Sequence, residues 1–465
     1  MLKAPMKNSL LLIFSLGVLG CSGGRDEPKS VYFAGEIVNP TDGFVVLLKG
    51  EQPVDSAALD AQNRFEFHLD SLADGLYSFK HDPEFQYVYL EGGDSLQIRL
   101  NTIAFDESLV FSGQGEEINN FLVGQFLESE EEESQIRDAY IPLEPVAFTE
   151  KMDSLQASKM KRLEELNEET PLSEGAYTAA RASIQYQNFL YREKYPFWHR
   201  KMSGDRILHD LPPGFYEYRK QVSYEDPRLT FLKPYHDFMI YHIGNLSYMG
   251  CRNACDENDN QVVNKLHFNR HQLRLIDSLV TGEALRDNLF RTVAFEYLLK
   301  NDSEENFRVF MEEFHRLSGN NRHLDEIDRL SSAIQELRPN HEVPNLMVEN
   351  TGGEKQSLRN IAADGKVVFY FWSGPQEHHL ANITRRVRAL RNKYDGYRFV
   401  GICLRTDLDR WKMLLDAYGL DASDQYWTGD FENVARTLVV NNTYKSILAE
   451  DGKIVNGFAD LNTSF

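Results

Sequence analysis

The chain has 465 residues, 42% of them hydrophobic and 26% charged, which places it among globular proteins and gives it length for about three ordinary domains. Its formal net charge of −21 argues against nucleic acid and anionic lipid as partners, because both are repelled by a strongly acidic surface.

The first elements belong to a processing segment. Lys3 and Lys7 supply positive charge, and Leu10 to Leu19 form an apolar run well short of the ~20 residues that span a bilayer. Met6 is an equally good start, since Met6-Lys7-Asn8 leads straight into that run. The run ends in Val18-Leu19-Gly20-Cys21, which resembles a bacterial lipobox. The resemblance implies a signal peptide over 1–20, lipid on Cys21, and a flexible tether over 21–30 that includes Ser22-Gly23-Gly24. The alternative is an ordinary secretory signal whose cysteine is coincidental. The location expected is the bacterial cell envelope, with acyl chains holding the protein to the outer membrane on its periplasmic side.

Residues 31–115 predict short strands: Val31 to Ile37, Phe44 to Leu48, Phe65 to Leu69, Leu76 to Lys80, Tyr87 to Leu90, Leu96 to Leu100 and Leu109 to Phe111. Turn residues such as Pro40-Thr41-Asp42-Gly43 and Glu91-Gly92-Gly93-Asp94 separate them, and Phe65-Glu66-Phe67-His68-Leu69 alternates in and out. This spacing predicts a small β-sandwich.

Over 116–338 the period becomes helical. Leu275 with Leu279 makes one apolar pair; Leu285, Leu289, Val293 and Tyr297 make one series and Phe307, Phe310, Met311 and Phe314 another. The acidic run Glu128 to Glu133, interrupted by Ser129, reads as a solvated helix end or loop, not a metal site. Many aromatics, among them Tyr186, Phe189, Tyr195, Tyr218 and Tyr235, fill gaps between helices or line a groove; filling is favoured.

Pro339 and Pro344 mark a linker, and 343–465 alternates strand and helix. Val367 to Trp372 is a strand, His379 to Lys393 a helix, Tyr397 to Leu404 a strand, Asp407 to Tyr418 a helix, and Lys445 to Leu448 with Lys453 to Val455 a hairpin. The alternation predicts βαβ connections and parallel strands. The fold class expected is multidomain α+β: an N-terminal β-sandwich, a central all-helical domain and a C-terminal α/β domain.

Residues 343–465 resemble the TlpA/ResA group of envelope thioredoxin-like proteins. The shared features are a strand ending in Phe371-Trp372 that turns into a helix, a strand Arg398 to Cys403 leading to a helix with Trp411-Lys412, and a hairpin through Asp451-Gly452-Lys453-Ile454-Val455. The resemblance implies a Trp-Cys-x-Pro-Cys motif after Phe371-Trp372, yet the chain reads Ser373-Gly374-Pro375-Gln376-Glu377-His378-His379. One alignment puts Ser373 and Gln376 in the cysteine positions; the other puts Gln376 and His379 there. The cis-proline of the family falls on Thr443 or Tyr444, with no proline nearby. Thiol–disulfide exchange needs a thiolate and a second, resolving thiol, and neither a hydroxyl, an amide nor an imidazole replaces them. His379 as a catalytic group and His378-His379 as metal ligands are weak alternatives, since adjacent helical residues point apart.

Three further cysteines remain. Cys403, in an apolar strand, reads as an inert core thiol. Cys251 and Cys255 lie four apart, which on a helical turn brings their Cα atoms to about 6 Å, within disulfide range. No phosphate-cradling glycine loop, zinc-protease helix or nucleophile elbow is present, so no cofactor or metal is expected. Two functions follow. The preferred one is a membrane-tethered, redox-inactive thioredoxin-like lipoprotein that binds an envelope protein, peptide or ligand through the stretch Trp372 to His379 with Thr443 to Lys445. The alternative is an oxidoreductase using Cys251 and Cys255. A purely structural envelope component is a third class.

Overall fold

Strand periodicity dominates the first part of the computed structural model, which describes residues 30–204, 211–258 except 252–256, 261–262, 264–300, 302–442 and 444–465, with backbone alone for 251, 257–258, 261–262 and 377. The described residues fall into two units, one reaching Glu131 and including Arg162–Ala180, the other holding Glu132–Lys161 and Arg181–Phe465. The expected lipidation at Cys21 lies outside the described residues.

In the first unit, strands β1 (Val31–Val38), β2 (Phe44–Lys49), β3 (Gln52–Ala58), β4 (Arg64–Leu69), β5 (Gly75–His81), β6 (Glu84–Leu90), β7 (Ser95–Asn101) and β8 (Val110–Gln114) form two four-stranded sheets. Their orders are β4-β1-β7-β8 and β3-β2-β5-β6. Alternation explains the core: Phe65 and Phe67 on β4 are buried while Glu66 and His68 are exposed. Phe33, Phe67, Phe79 and Phe111 are its largest fully buried side chains. Strand β3 was not expected; six of its seven residues are exposed, so it carries no in–out signal. Helix α1 (Glu116–Gln135) starts against this sandwich. The Asn119 amide accepts from Tyr89 N–H at 2.7 Å and donates to Tyr89 C=O at 2.8 Å, as a strand would, and Val123 enters the core.

Beyond α1 come α2 (Pro145–Glu169), α3 (Glu174–Ser203), α4 (Lys233–Cys251), a two-residue ladder of β9 (Glu257–Asn258) with β10 (Gln261–Val262), then α5 (Lys265–Leu279), α6 (Glu283–Leu298), α7 (Glu304–Ser318) and α8 (Leu324–Glu336). The series Leu285, Leu289, Val293, Tyr297 is the buried face of α6, and Phe307, Phe310, Met311, Phe314 that of α7. Ser303 caps α7 by accepting from Asn306 N–H. The aromatics pack on one another, as in Phe148 against Tyr195 and Tyr297 against Phe310, each at 4.1 Å between ring centroids.

The last part holds β11 (Met347–Glu349), β12 (Lys355–Ser357), α9 (Leu358–Ile361), β13 (Lys366–Ser373), α10 (Glu377–Lys393), β14 (Tyr397–Leu404), α11 (Leu408–Tyr418), β15 (Gln425–Trp427), α12 (Phe431–Thr437), β16 (Lys445–Glu450) and β17 (Lys453–Asp460). They form a seven-stranded sheet of order β12-β11-β15-β14-β13-β16-β17. β15, β14 and β13 run parallel, and β16 and β17 are antiparallel additions. Val368, Tyr370 and Trp372 point to one face, where Leu380, Ile383 and Val387 of α10 and Trp411 of α11 cover them. The linker adds to the outer edge of β17: Asn340 N–H donates to Ile454 C=O at 2.8 Å and Ile454 N–H to His341 C=O at 2.7 Å. A Cβ on Gly457 would lie 2.1 Å from the Leu337 carbonyl oxygen, so this glycine lets the end of α8 meet the hairpin. Among the described residues no helix is long and apolar enough to cross a membrane.

Candidate functional site

The turn from β13 into α10 is built by two hydrogen bonds. Gly374 N–H donates to the Thr406 hydroxyl at 2.7 Å, and that hydroxyl donates to Leu404 C=O at 2.9 Å. A Cβ on Gly374 would crowd the Thr406 and Leu414 side chains at 2.9 and 3.0 Å, so glycine suits the close passage there.

The helix start bears on both alignments of residues 373–379. Thiol activation requires a helix N-terminus, where the first N–H groups and the dipole favour an anion. Ser373 is the last residue of β13, whereas Gln376 is the N-cap of α10 and His379 lies in its first turn. In one frame both positions, Gln376 and His379, lie at the helix start; in the other, Ser373 ends the strand and Gln376 is the N-cap. The Gln376 side chain makes no capping bond, and its C=O accepts from Leu380 N–H at 2.9 Å. The His379 ring stands edge-on to the Tyr444 ring with centroids 5.5 Å apart. Two positions the sequence singled out separately thus meet in space. Thr443 lies outside the described residues.

Trp372 and Lys445, expected on the binding face, are not on it. Each is 2% exposed. Trp372 is a core residue whose indole N–H donates to Gln425 Oε1 at 3.0 Å; the Gln425 amide in turn donates to the Tyr370 hydroxyl at 2.8 Å. Lys445 turns inward, donates to Gly457 C=O and lies 3.8 Å from the centre of the Phe458 ring. Burial pulls its ammonium down from 10.5 to about 7, and no acidic neighbour opposes the shift. The outer edge of the hairpin near Lys453 and Ile454 is occupied by residues 340–343. What remains accessible is Pro375, Gln376 and His378, with Ser373, His379 and Tyr444 half-buried.

The Cys403 thiol is fully buried and unpaired with another sulfur. Burial pushes it up to about 12, only partly opposed by a hydrogen bond with Thr406, so it is a thiol and not a thiolate at neutral pH. The reading of Cys403 as an inert core residue fits this environment. Cys251 is the last residue of α4; its side chain and Cys255 lie outside the described residues. Among the described residues no group of His, Cys, Asp or Glu is arranged to hold a metal ion.

Sequence reasoning missed a buried charge network in the helical region. The Glu193 carboxylate, fully buried, accepts from Arg219 at 2.9 and 2.6 Å, pairs with His242 Nδ1 at 2.8 Å and accepts from the Asn245 amide at 2.5 Å. His242 Nε2 faces the Tyr224 hydroxyl at 2.7 Å. Burial alone would raise the carboxyl, but the His242 and Arg219 hydrogen bonds outweigh it and hold it below its ordinary range. The partners are 26 and 49 residues from Glu193, so no local pattern announces them.

Three parallel strands flanked by an antiparallel hairpin, with a helix entered from the end of the central strand, make the thioredoxin-like arrangement that residues 343–465 resemble. No protein-family model matches the chain, and no curated protein matches it. Among solved structures it is similar to the thioredoxin domain of a thiol-disulfide oxidoreductase from Bacteroides vulgatus, at 18% identity over 26% of this chain and 87% of that one, TM-score 0.23. A thiol-disulfide oxidoreductase from Bacteroides fragilis is similar at 22% identity over 24% and 87%, TM-score 0.21. A secreted disulfide oxidoreductase from Mycobacterium tuberculosis is similar at 16% identity over 26% and 86%, TM-score 0.21. At such scores these are likenesses only, and the thioredoxin-like arrangement rests on this chain's own strand order and directions.

Proposed function

We propose that this protein is a thioredoxin-like lipoprotein of the bacterial envelope, tethered through Cys21, that performs no thiol–disulfide exchange and binds a partner protein or peptide with the surface where such exchange would occur. The observation that carries the reading is the helix start: Gln376 at the N-cap and His379 in the first turn of α10 stand where a reactive thiol pair would be activated. Neither can form a mixed disulfide. The helix start beside the exposed Gln376 and His378, with the half-buried His379–Tyr444 pair, gives a surface suited to a peptide carbonyl or carboxylate. The binding surface is smaller than the sequence indicated, because Trp372 and Lys445 face the interior.

The test has two arms. The purified chain is assayed for insulin disulfide reduction beside a Gln376→Cys/His379→Cys variant; the reading expects no turnover above the reagent blank in the parent chain. In cells, a photo-crosslinking residue replaces His378 or, as a control on a distant surface, Val455. A discrete adduct at 378 and none at 455 fits the reading. Turnover by the parent chain that is lost in Cys251→Ser would replace it with the oxidoreductase.

A further inference from the structure

A second site stands apart from the α10 surface. Between α6, α8 and the end of α12 the chain leaves a cavity of about 590 Å³, within the range of small-molecule pockets. Its interior is apolar: Phe295, Leu299, Leu330 and Val440 are only half-buried by the protein's own atoms and turn their remaining surface to this space. Its rim is cationic. Arg329 and Arg436 are exposed there, and neither guanidinium has an ion-pair or hydrogen-bond partner among the described residues. Of the two carboxylates at the rim, Glu326 is already held by Arg291 through bonds of 2.6 and 2.7 Å, which leaves Asp325 alone against two free guanidinium groups. In a chain of net charge −21 such a local excess of positive charge is set against the general trend.

The backbone of the cavity wall is strained. Val439 has φ +50, a left-handed conformation that β-branched residues avoid. It occupies the position after α12 where glycine ordinarily sits: Val440 N–H donates back to Ala435 C=O at 2.8 Å and closes the helix end. A glycine would relax the turn but would remove an apolar group from the wall.

We propose that this cavity binds an anionic amphiphile. Its apolar body lies against Phe295, Leu299, Leu330 and Val440, and its carboxylate or phosphate head is held by Arg329 and Arg436, both of which match such groups in a planar, two-bond fashion. This inference does not depend on the α10 surface.

Isothermal titration of the full chain with dodecanoate, dodecyl phosphate and uncharged dodecanol tests it. Saturable binding of one or both anions, weakened about tenfold by Arg329→Gln/Arg436→Gln and by added sodium chloride, is the expected result; which anion binds distinguishes a fatty acid from a phosphate head. The arginines are exposed, so the double variant keeps its fold, and an unchanged melting temperature checks that. Ala435→Trp, which projects an indole into the cavity while leaving both charges, is expected to abolish binding. The proposal is overturned if neither anion binds the parent chain, if the double variant binds as tightly as the parent, or if dodecanol binds as well as the anions.

Discussion

The indole N–H of Trp372 donates to the Oε1 of Gln425 at 3.0 Å across the sheet. The same amide donates to Tyr370, so one glutamine satisfies two buried aromatic polar groups. Room for it comes from Gly401, where a Cβ would fall 2.2 Å from the glutamine oxygen. Replacing Gln425 with leucine strands both groups in the core. We expect a loss of about 2–4 kcal/mol, read from the midpoint of urea denaturation. A shift under about 0.5 kcal/mol would show that the amide is not the partner.

Glu193 is the keystone of the helical region, and Glu193→Gln leaves the Arg219 guanidinium buried without a counter-charge. The expected cost is about 3–5 kcal/mol. The pH dependence has a definite sign. The folded carboxyl lies below its unfolded value of 4.5, so its contribution is present above that pH and is lost as pH falls through the folded value. Acid titration of stability in the parent chain thus has a limb that the glutamine variant lacks.

Lys445 has the opposite dependence. Its folded pKa of about 7 lies below the unfolded 10.5, so the unfolded chain holds the proton more tightly. Stability therefore rises from about pH 7 towards 10.5 and levels off below about 7. Lys445→Met removes that slope and stabilises the protein at neutral pH by about 1–3 kcal/mol. Denaturant midpoints measured across this range check both statements; a slope that persists in the variant would assign it to another group.

Cys403 is expected to resist alkylation in the native protein and to react on unfolding, because the thiol is enclosed and its thiolate disfavoured. Mass spectrometry of iodoacetamide-treated samples, with and without denaturant, measures this. Labelling of Cys403 at the rate of a free small thiol under native conditions would contradict the burial described.

Much of the architecture was legible before the structure. Strand β14 and the hairpin turn follow from β-branched and aromatic runs bounded by turn residues, and the helix expected over Asp407 to Tyr418 is α11. Strand β3 was hidden because an exposed edge strand has no buried face to alternate. Strand β15, Gln425–Trp427, is too short for any period to appear. At the candidate site, the lack of cysteine between Trp372 and His379 could be read directly, and the nearness of that stretch to Tyr444 was anticipated only through the resemblance. That Trp372 faces inward could have been inferred from its alternation with Val368 and Tyr370, all on one side of β13. The Glu193–Arg219–His242 network and the cavity beside Arg329 arise from packing of distant segments, and nothing in a linear pattern encodes them.

Residues 340–343 lie along the last strand of the sheet. A shortened version that starts at 343, the boundary that composition suggests, would strip this natural selvedge. It would bare a row of amides and carbonyls to which another copy could attach. Fragment work on the C-terminal region should retain the segment from Leu337 onward, or the oligomers observed would be products of the scissors and not of the protein.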